Sequence, residues 1–262
     1  MLNTAFDSVL LSRVEDAGLN ASAPPQQRWL DGWLVRFSAG KAKRARCINA
    51  VAVGRLPLAD KLALCSALFA QAGLPMYVRI TPFSQPAGLD AQLAGLGMPR
   101  IDDTRVMVCP SLHGSATTPP PADHRIERVG HESFSHIVGH LRGSPLAQRQ
   151  AHSQRLALSP VPFQGFVVKN DAGLAVACGQ IAIEAELAGV YDAYTEPGSR
   201  CKGLARKLCE HVLSLARSQG AKVGYLQVEG DNDTARRIYL RLGFSDAYAY
   251  HYRQPVAPQA KA

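Results

Sequence analysis

Residues 191–216 read YDAYTEPGSRCKGLARKLCEHVLSLA, and the expected fold of the surrounding chain follows from this stretch. Its first residues are aromatic and β-branched, which favours a strand, and Pro197 and Gly198 end that strand. From Leu204 onward, apolar residues recur at the spacing of one helix face, and Gly220 is placed to end the helix. The stretch therefore predicts a strand, a basic loop that contains glycine, and an amphipathic helix.

The loop between the predicted strand and helix is suited to an anion. The first turn of a helix has backbone N–H groups without partners, and their partial positive charge attracts anions. Gly203 has no side chain to keep a phosphate from the backbone, and Arg200 and Lys202 add full charges. The predicted pyrophosphate site consists of Arg200, Cys201, Lys202, Gly203, Leu204 and Ala205. The alternative is an ordinary connection with a solvated basic turn.

A second motif follows about thirty residues downstream. Residues 221–228 predict a buried strand, and residues 229–233 predict a turn with capping residues for the next helix. Gly243 is a natural residue to end that helix. The motif reads Asn232-x-x-Ala235-x-x-x-Tyr239-x-x-x-Gly243-Phe244.

Together the two motifs resemble the GNAT acetyltransferases. Arg200, Gly203 and Ala205 match Arg/Gln-x-x-Gly-x-Gly/Ala, the acyl-CoA pyrophosphate loop of that family, and the second motif resembles the end of a GNAT domain. The resemblance implies the acyl-CoA N-acyltransferase (GNAT) fold, which is α/β with a mixed sheet. It also implies acetyl-CoA as co-substrate, no metal, and direct transfer of the acetyl group to an amine acceptor.

The resemblance also implies roles for individual residues. Backbone groups of Ala193, Tyr194 and Thr195 would face the pantetheine arm, on a strand that splays from its neighbour. Asn232 would contact the cofactor, and Tyr239 would protonate the departing thiolate. A phenol within hydrogen-bond reach can supply that proton when an amine attacks a thioester. The alternative for Tyr239 is a packing residue on an amphipathic helix.

The general base is less clearly marked in the sequence. Asp192 lies on the predicted cofactor strand and is our candidate, while Glu184 and Glu186 lie just before it. No carboxylate stands where some family members keep a glutamate base. A structural role for Asp192, with water as the base, is the alternative.

Length and composition indicate a globular protein of two domains, because 262 residues with 47% hydrophobic content exceed what one domain of this family needs. In the first half, residues 29–38 and 45–53 predict a hairpin, and helices and strands alternate up to residue 109. This half has no pyrophosphate loop. Residues 33–38, 43–44 and 81–86 resemble tandem GNAT-like proteins whose first half is degenerate. The predicted divisions are a degenerate domain at 1–110, a proline-rich linker at 111–124, a catalytic domain at 125–254 and a disordered tail at 255–262.

Several classes of protein and site are disfavoured. The sequence has no apolar run long enough to span a bilayer and no signal-peptide pattern at its start, and its six cysteines are scattered, which predicts a cytoplasmic protein with reduced thiols. His136 and His140 share a helix face without a third ligand nearby, so no metal site is predicted. Residues 144–158 predict a helix with Arg149, His152 and Arg155, where substrates enter in this fold.

The formal charge of +8 is divided evenly between the two halves and suits an anionic cofactor better than nucleic acid. The densest basic cluster is Lys41, Lys43, Arg44 and Arg46, and it predicts a solvated hairpin turn. Nucleic-acid binding through this cluster is the weaker alternative. The predicted function is an acetyl-CoA-dependent N-acetyltransferase, monomeric or homodimeric, with a small molecule or protein as acceptor. A non-catalytic acyl-CoA sensor is the alternative.

Overall fold

The computed structural model describes residues 1–112 and 119–255. The α-helices there are α1 Ser8–Ala21, α2 Leu58–Gln71, α3 Leu89–Gly95, α4 His131–Leu141, α5 Leu146–Ala157, α6 Leu204–Ser218 and α7 Asp233–Arg241. The strands are β1 Gln26–Leu30, β2 Trp33–Phe37, β3 Ile48–Ala50, β4 Val78–Ile80, β5 Arg100–Cys109, β6 His124–Val129, β7 Phe163–Asn170, β8 Ala175–Glu184, β9 Leu187–Thr195, β10 Val223–Glu229 and β11 Ser245–Arg253. The interior of the predicted linker, 113–118, and most of the predicted tail, 256–262, lie outside these ranges.

All these strands belong to one sheet in the order β1-β2-β3-β4-β11-β5-β10-β9-β8-β7-β6. The pairs β3/β4 and β9/β10 are parallel, and the other pairs are antiparallel, so the sheet is mixed as predicted. Strand β5, which closes the first half of the chain, lies between β10 and β11 of the second half. The sheet therefore continues across the predicted domain boundary.

Two details of the predicted strands were wrong. Residues 29–38 are not one strand, because the chain reverses at Asp31 and Gly32, whose φ angles are 43° and 83°. A Cβ atom on Gly32 would lie 2.8 Å from the carbonyl oxygen of Ala52, so glycine is required at this Asp-Gly turn. The apolar residues on both sides concealed the turn. Strand β11 was not predicted at all, although Tyr248, Tyr250 and Tyr252 make it a buried strand.

A buried ion pair joins α1 to the middle of the sheet. The guanidinium of Arg79 on β4 forms a hydrogen-bonded pair with the carboxylate of Glu15, and Tyr248 Oη donates a 2.7 Å bond to Glu15 Oε2. Both charged side chains are nearly inaccessible to water. The network ties together residues that lie up to 233 positions apart in sequence.

Strands β9 and β10 separate part of the way along their length. Their parallel ladder ends at Val190 and Leu226, after which β9 continues against β8 and β10 continues against β5. A bulge in β9 at Asp192, whose φ is 51°, increases the divergence. The resulting fork is the opening that positions the candidate site. In the parts of the chain described above, no helix has the length and apolar character needed to cross a membrane.

Candidate active site

The fork between β9 and β10 opens into a pocket of about 1190 Å³. Both halves of the chain line it, because Ser38, residues 40–46 and residues 102–104 of β5 come from the first half and helices α4, α5 and α7 from the second. The pocket is large enough for a sizeable ligand. Among the predicted site residues, those that line it are Asp192, Ala193, Asn232 and Tyr239.

Asp192 holds a histidine in the pocket. Its Oδ2 atom accepts a 2.6 Å hydrogen bond from Gln180 Nε2 and lies 3.3 Å from Nε2 of His152 on α5. Burial by itself would raise the pKa of Asp192, but the close approach of His152 and the charges of Arg142 and Arg155 hold that pKa well below its ordinary value. An ionised carboxylate of this kind is a weak proton acceptor and a good partner for an imidazolium.

Tyr239 presents a protonated phenol to the pocket. The residue is half-buried on α7, and its ring centroid lies 6.2 Å from that of Phe244. Burial raises the pKa of Tyr239, with Cys209 adding to the effect and Arg142 opposing it. The hydroxyl therefore keeps its proton at neutral pH, which is the state required of a general acid.

Asn232 has a structural role at the start of α7. Its side-chain Oδ1 accepts a 3.1 Å hydrogen bond from the backbone N–H of Ala235, which makes Asn232 the N-cap. The cap uses the side-chain oxygen and leaves the amide N–H groups available as donors, and Asn232 lines the pocket. The predicted cofactor contact is compatible with donation from that amide.

The basic loop has the backbone conformation that an anion site needs. Gly203 is the N-cap of α6 with a φ of 77°, and Cys201 is also left-handed at 62°. No side chain caps the helix, and a Cβ atom on Gly203 would meet nothing within 4 Å. The backbone N–H groups of Leu204 and Ala205, in the first turn of α6, therefore lie at a helix end that no side chain covers.

The end of β9 is braced by two arginines. Arg200 Nε donates a 3.2 Å bond to the carbonyl oxygen of Thr195, and Arg142 donates a 3.5 Å bond to that of Ala193. The ring of Tyr194 lies 5.0 Å from the guanidinium of Arg142 and 5.9 Å from that of Arg200. These backbone groups, predicted to face pantetheine, lie between the pocket and the basic loop.

Other candidate residues lie elsewhere. Glu184 accepts a bond from Asn20, and Glu186 pairs with Arg13 at 2.6 Å, so neither lines the pocket. Within residues 1–112 and 119–255, no cluster of three or more histidine, cysteine or acidic side chains is placed to hold a metal ion.

The basic cluster at residues 41–46 was interpreted incorrectly. Lys41 is exposed, but Arg44 is half-buried and its NH1 atom donates a 2.6 Å bond to Oε1 of Gln227 on β10. The cluster forms a wall of the pocket instead of a solvated turn. No local signal could have shown this, because the bonded residues are 183 positions apart. The pairing of His152 with Asp192 was missed for the same reason.

Comparisons with known proteins agree on one family. Residues 135–244 match the model of the Acetyltransferase (GNAT) family. The chain is 24% identical over 229 residues to "Uncharacterized N-acetyltransferase YobR" of Bacillus subtilis (strain 168). The aligned region covers 87% of this chain and 91% of that protein.

Solved structures show the same architecture. A GCN5-related N-acetyltransferase from Kribbella flavida superposes with a TM-score of 0.68 and 18% identity, covering 95% of this chain and 97% of that one. A tandem GNAT protein from the clavulanic acid biosynthesis pathway gives a TM-score of 0.60 and 15% identity, covering 76% and 70%. The predicted α/β fold is thereby confirmed.

Proposed function

The chain contains a GNAT-family acetyltransferase domain and so has the framework of an acyltransferase, and we propose that it moves an acetyl group from acetyl-CoA directly to an amine acceptor. One observation carries the proposal: an uncovered, glycine-capped start of α6 lies at the end of β9, next to the fork between β9 and β10. A helix start binds a pyrophosphate, and a fork exposes strand backbone to an extended arm.

Cofactor binding uses the backbone more than side chains. The N–H groups of Leu204 and Ala205, with Gly203 and Cys201 in left-handed conformations, would hold the pyrophosphate. Arg200 and Lys202 add charge. The backbone of residues 193–195 would bind the pantetheine arm, and the amide N–H groups of Asn232 would donate to the cofactor.

Proton movement during transfer is divided between two groups. The imidazole of His152 takes the proton from the attacking ammonium, and the ionised Asp192 holds that ring and stabilises its charge. Tyr239 donates its phenolic proton to the departing thiolate. The depressed pKa of Asp192 favours this positioning role over the role of base predicted from the sequence.

The proposal also covers the class of acceptor, the oligomeric state, the first half of the chain and the location of the protein. The acceptor is a small molecule or a protein amine, the protein is a monomer or homodimer, and its first half is a degenerate GNAT-like domain. A cytoplasmic location is supported by the cysteines, all six of which are free thiols.

Calorimetric binding of acetyl-CoA tests the proposal. Wild-type protein should bind with a Kd in the micromolar range, about −8 kcal/mol. Gly203→Asp should abolish binding, because it adds a negative charge where the pyrophosphate would lie. Gly220→Asp is the matched control, since Gly220 also has a positive φ and open space but follows the opposite end of α6.

Three results would contradict the proposal, the first two at the cofactor site and the third at the transfer step. Wild-type protein that does not bind acetyl-CoA, or equal binding by Gly203→Asp, would remove the cofactor site. Tight binding without thiol release in the presence of any amine would favour the acyl-CoA sensor instead.

A further inference from the structure

Arg44 lies where β9 and β10 separate. Its NH1 atom bonds to Gln227 Oε1 at 2.6 Å, and its guanidinium lies 5.8 Å from the ring centroid of Tyr191. Tyr191 and Gln227 are the first residues of their strands beyond the last paired positions, Val190 and Leu226. A cation from the first half of the chain therefore lies at the fork, against Tyr191 and Gln227.

Of the four further arginines that line the same pocket, Arg46 and Arg155 matter here, because Arg142 and Arg149 donate hydrogen bonds to the backbone of Ala193 and Ser144. Arg155 on α5 donates a 3.1 Å bond to the carbonyl oxygen of Ala21 and lies over the ring of Phe163 at 5.6 Å. Arg46 lies 5.9 Å from the ring centroid of Tyr77, and its buried Nε has no hydrogen-bond partner among the described residues. Burial lowers the pKa of Arg155, which means that its cation lacks full compensation for lost water.

The carboxylates of the pocket form no ion pair with these three cations, although the charge of Asp192 acts on Arg155 and partly offsets its loss of water. Asp102 pairs with Lys43 at 2.7 Å, Asp103 with Arg105 at 2.9 Å, and Asp192 with His152. The remaining two, Glu229 and Asp231, are exposed. No carboxylate oxygen in residues 1–112 and 119–255 lies within 4.0 Å of the guanidinium nitrogens of Arg44, Arg46 or Arg155.

We propose that Arg44, Arg46 and Arg155 bind an oxyanion of the acceptor, so that the substrates are amines that also carry a carboxylate or phosphate. This inference rests on the proposed acetyl transfer and specifies its substrate class. A planar guanidinium matches the oxygen pair of either group, and a partly buried cation gains most from such a partner. The three cations disfavour polyamines, whose positive charges they would repel.

The same geometry disfavours nucleic acid as the occupant. Binding to a duplex or a strand calls for cations along an exposed face, where they reach successive phosphates. Arg44, Arg46 and Arg155 are half-buried and line one pocket that both halves of the chain build. A single compact anion fits this arrangement.

The test compares amine acceptors with and without an anionic group. Release of thiol from acetyl-CoA is measured with β-alanine against β-alaninamide, with phosphoethanolamine against ethanolamine, and with spermidine. The two pairs separate a carboxylate from a phosphate as the preferred group. The variants are Arg46→Gln and Arg155→Gln, with Arg28→Gln as control, because Arg28 is an exposed arginine on β1 outside the pocket.

We expect the anionic member of at least one pair to have the higher kcat/KM, by about 10-fold or more. Arg46→Gln should lower that value by about 10- to 100-fold, the effect of losing charge-assisted hydrogen bonds, and leave the neutral member little changed. Arg155→Gln should lower it by a similar factor and should also lower activity with the neutral member, because the charge of Arg155 acts on Asp192. Arg28→Gln should behave as wild type. Arg46→Gln is the safer variant for folding, because the Arg46 side chain forms no hydrogen bond within residues 1–112 and 119–255.

Each other outcome has a definite meaning. The inference is overturned if the neutral amines or spermidine are used as well as the anionic amines or better. It is also overturned if the preference for anionic amines survives in both variants. Either result leaves the proposed acetyl transfer intact. Bound acetyl-CoA with no thiol release for any acceptor overturns the proposed function, and the inference falls with it. Calorimetry separates failure of the inference from failure of the proposed function, because Arg46→Gln should bind acetyl-CoA with the same affinity as the wild type.

Discussion

Replacement of Tyr239 by phenylalanine removes one oxygen atom from the pocket and little else. The ring can keep its contacts with Phe244 and the adjoining core. No hydrogen bond of the hydroxyl is recorded in the described part of the chain, so Tyr239→Phe should change the free energy of unfolding by less than about 1 kcal/mol. A change in rate can then be assigned to chemistry and not to folding.

The expected size of the rate change follows from the state of the hydroxyl. Positioned general acids contribute about 10²- to 10⁴-fold. Because burial raises the pKa of Tyr239 above that of an ordinary tyrosine, its proton is released reluctantly, and we expect the lower end of that range. Tyr239→Phe should lower kcat by about 100-fold, which corresponds to about 2.7 kcal/mol of activation free energy.

The assay is steady-state thiol release with the acceptor at saturation, together with calorimetry. The KM and Kd for acetyl-CoA should hardly change, because the hydroxyl acts on the leaving group and not on binding. Wild-type activity should show no alkaline loss from this group up to about pH 10, since deprotonation would require a pH above the ordinary tyrosine range. Tyr77→Phe is the control, a buried tyrosine outside the pocket. Undiminished kcat in Tyr239→Phe would exclude the phenol as the acid.

Two further predictions concern carboxylates. Asp192→Asn should lower kcat by about 10- to 100-fold with KM for acetyl-CoA unchanged, because the amide cannot stabilise an imidazolium at His152; equal kcat values would leave the pair without a catalytic role. Glu15→Gln should lower the free energy of unfolding in urea at pH 7 by about 3–5 kcal/mol, because it leaves the buried guanidinium of Arg79 unpaired. Burial raises the pKa of Glu15, but pairing with Arg79 outweighs burial and lowers that pKa. The ionised Glu15 therefore stabilises the fold at a pH above the ordinary carboxyl range, and this stabilisation is lost as the pH falls below that range. The difference between wild type and variant should therefore narrow in acid, and a difference that is independent of pH would contradict this account.

Local features of the site were predictable because neighbouring residues determine them. A helix begins where a capping residue precedes a periodic apolar face, and this rule located α6 after Gly203 and α7 after Asn232. The bulge that turns Asp192 was not predicted, because it arises from the register between β8 and β9 and not from the residue itself. The predicted strand at 29–38 failed where an Asp-Gly turn interrupts a run of apolar residues.

By itself, the sequence determined the family resemblance, the basic loop at 200–205, the candidate acid Tyr239 and the alternation of helices and strands, because each depends on residues a few positions apart. Tertiary structure alone decided that β5 lies between β10 and β11, that Arg44 reaches Gln227, and that His152 meets Asp192. These contacts join residues 40 or more positions apart in sequence, and their formation depends on the register of whole strands and on the burial of charge. No periodicity or short motif carries that information, so the composition of the pocket emerges only when the two halves of the chain share one sheet.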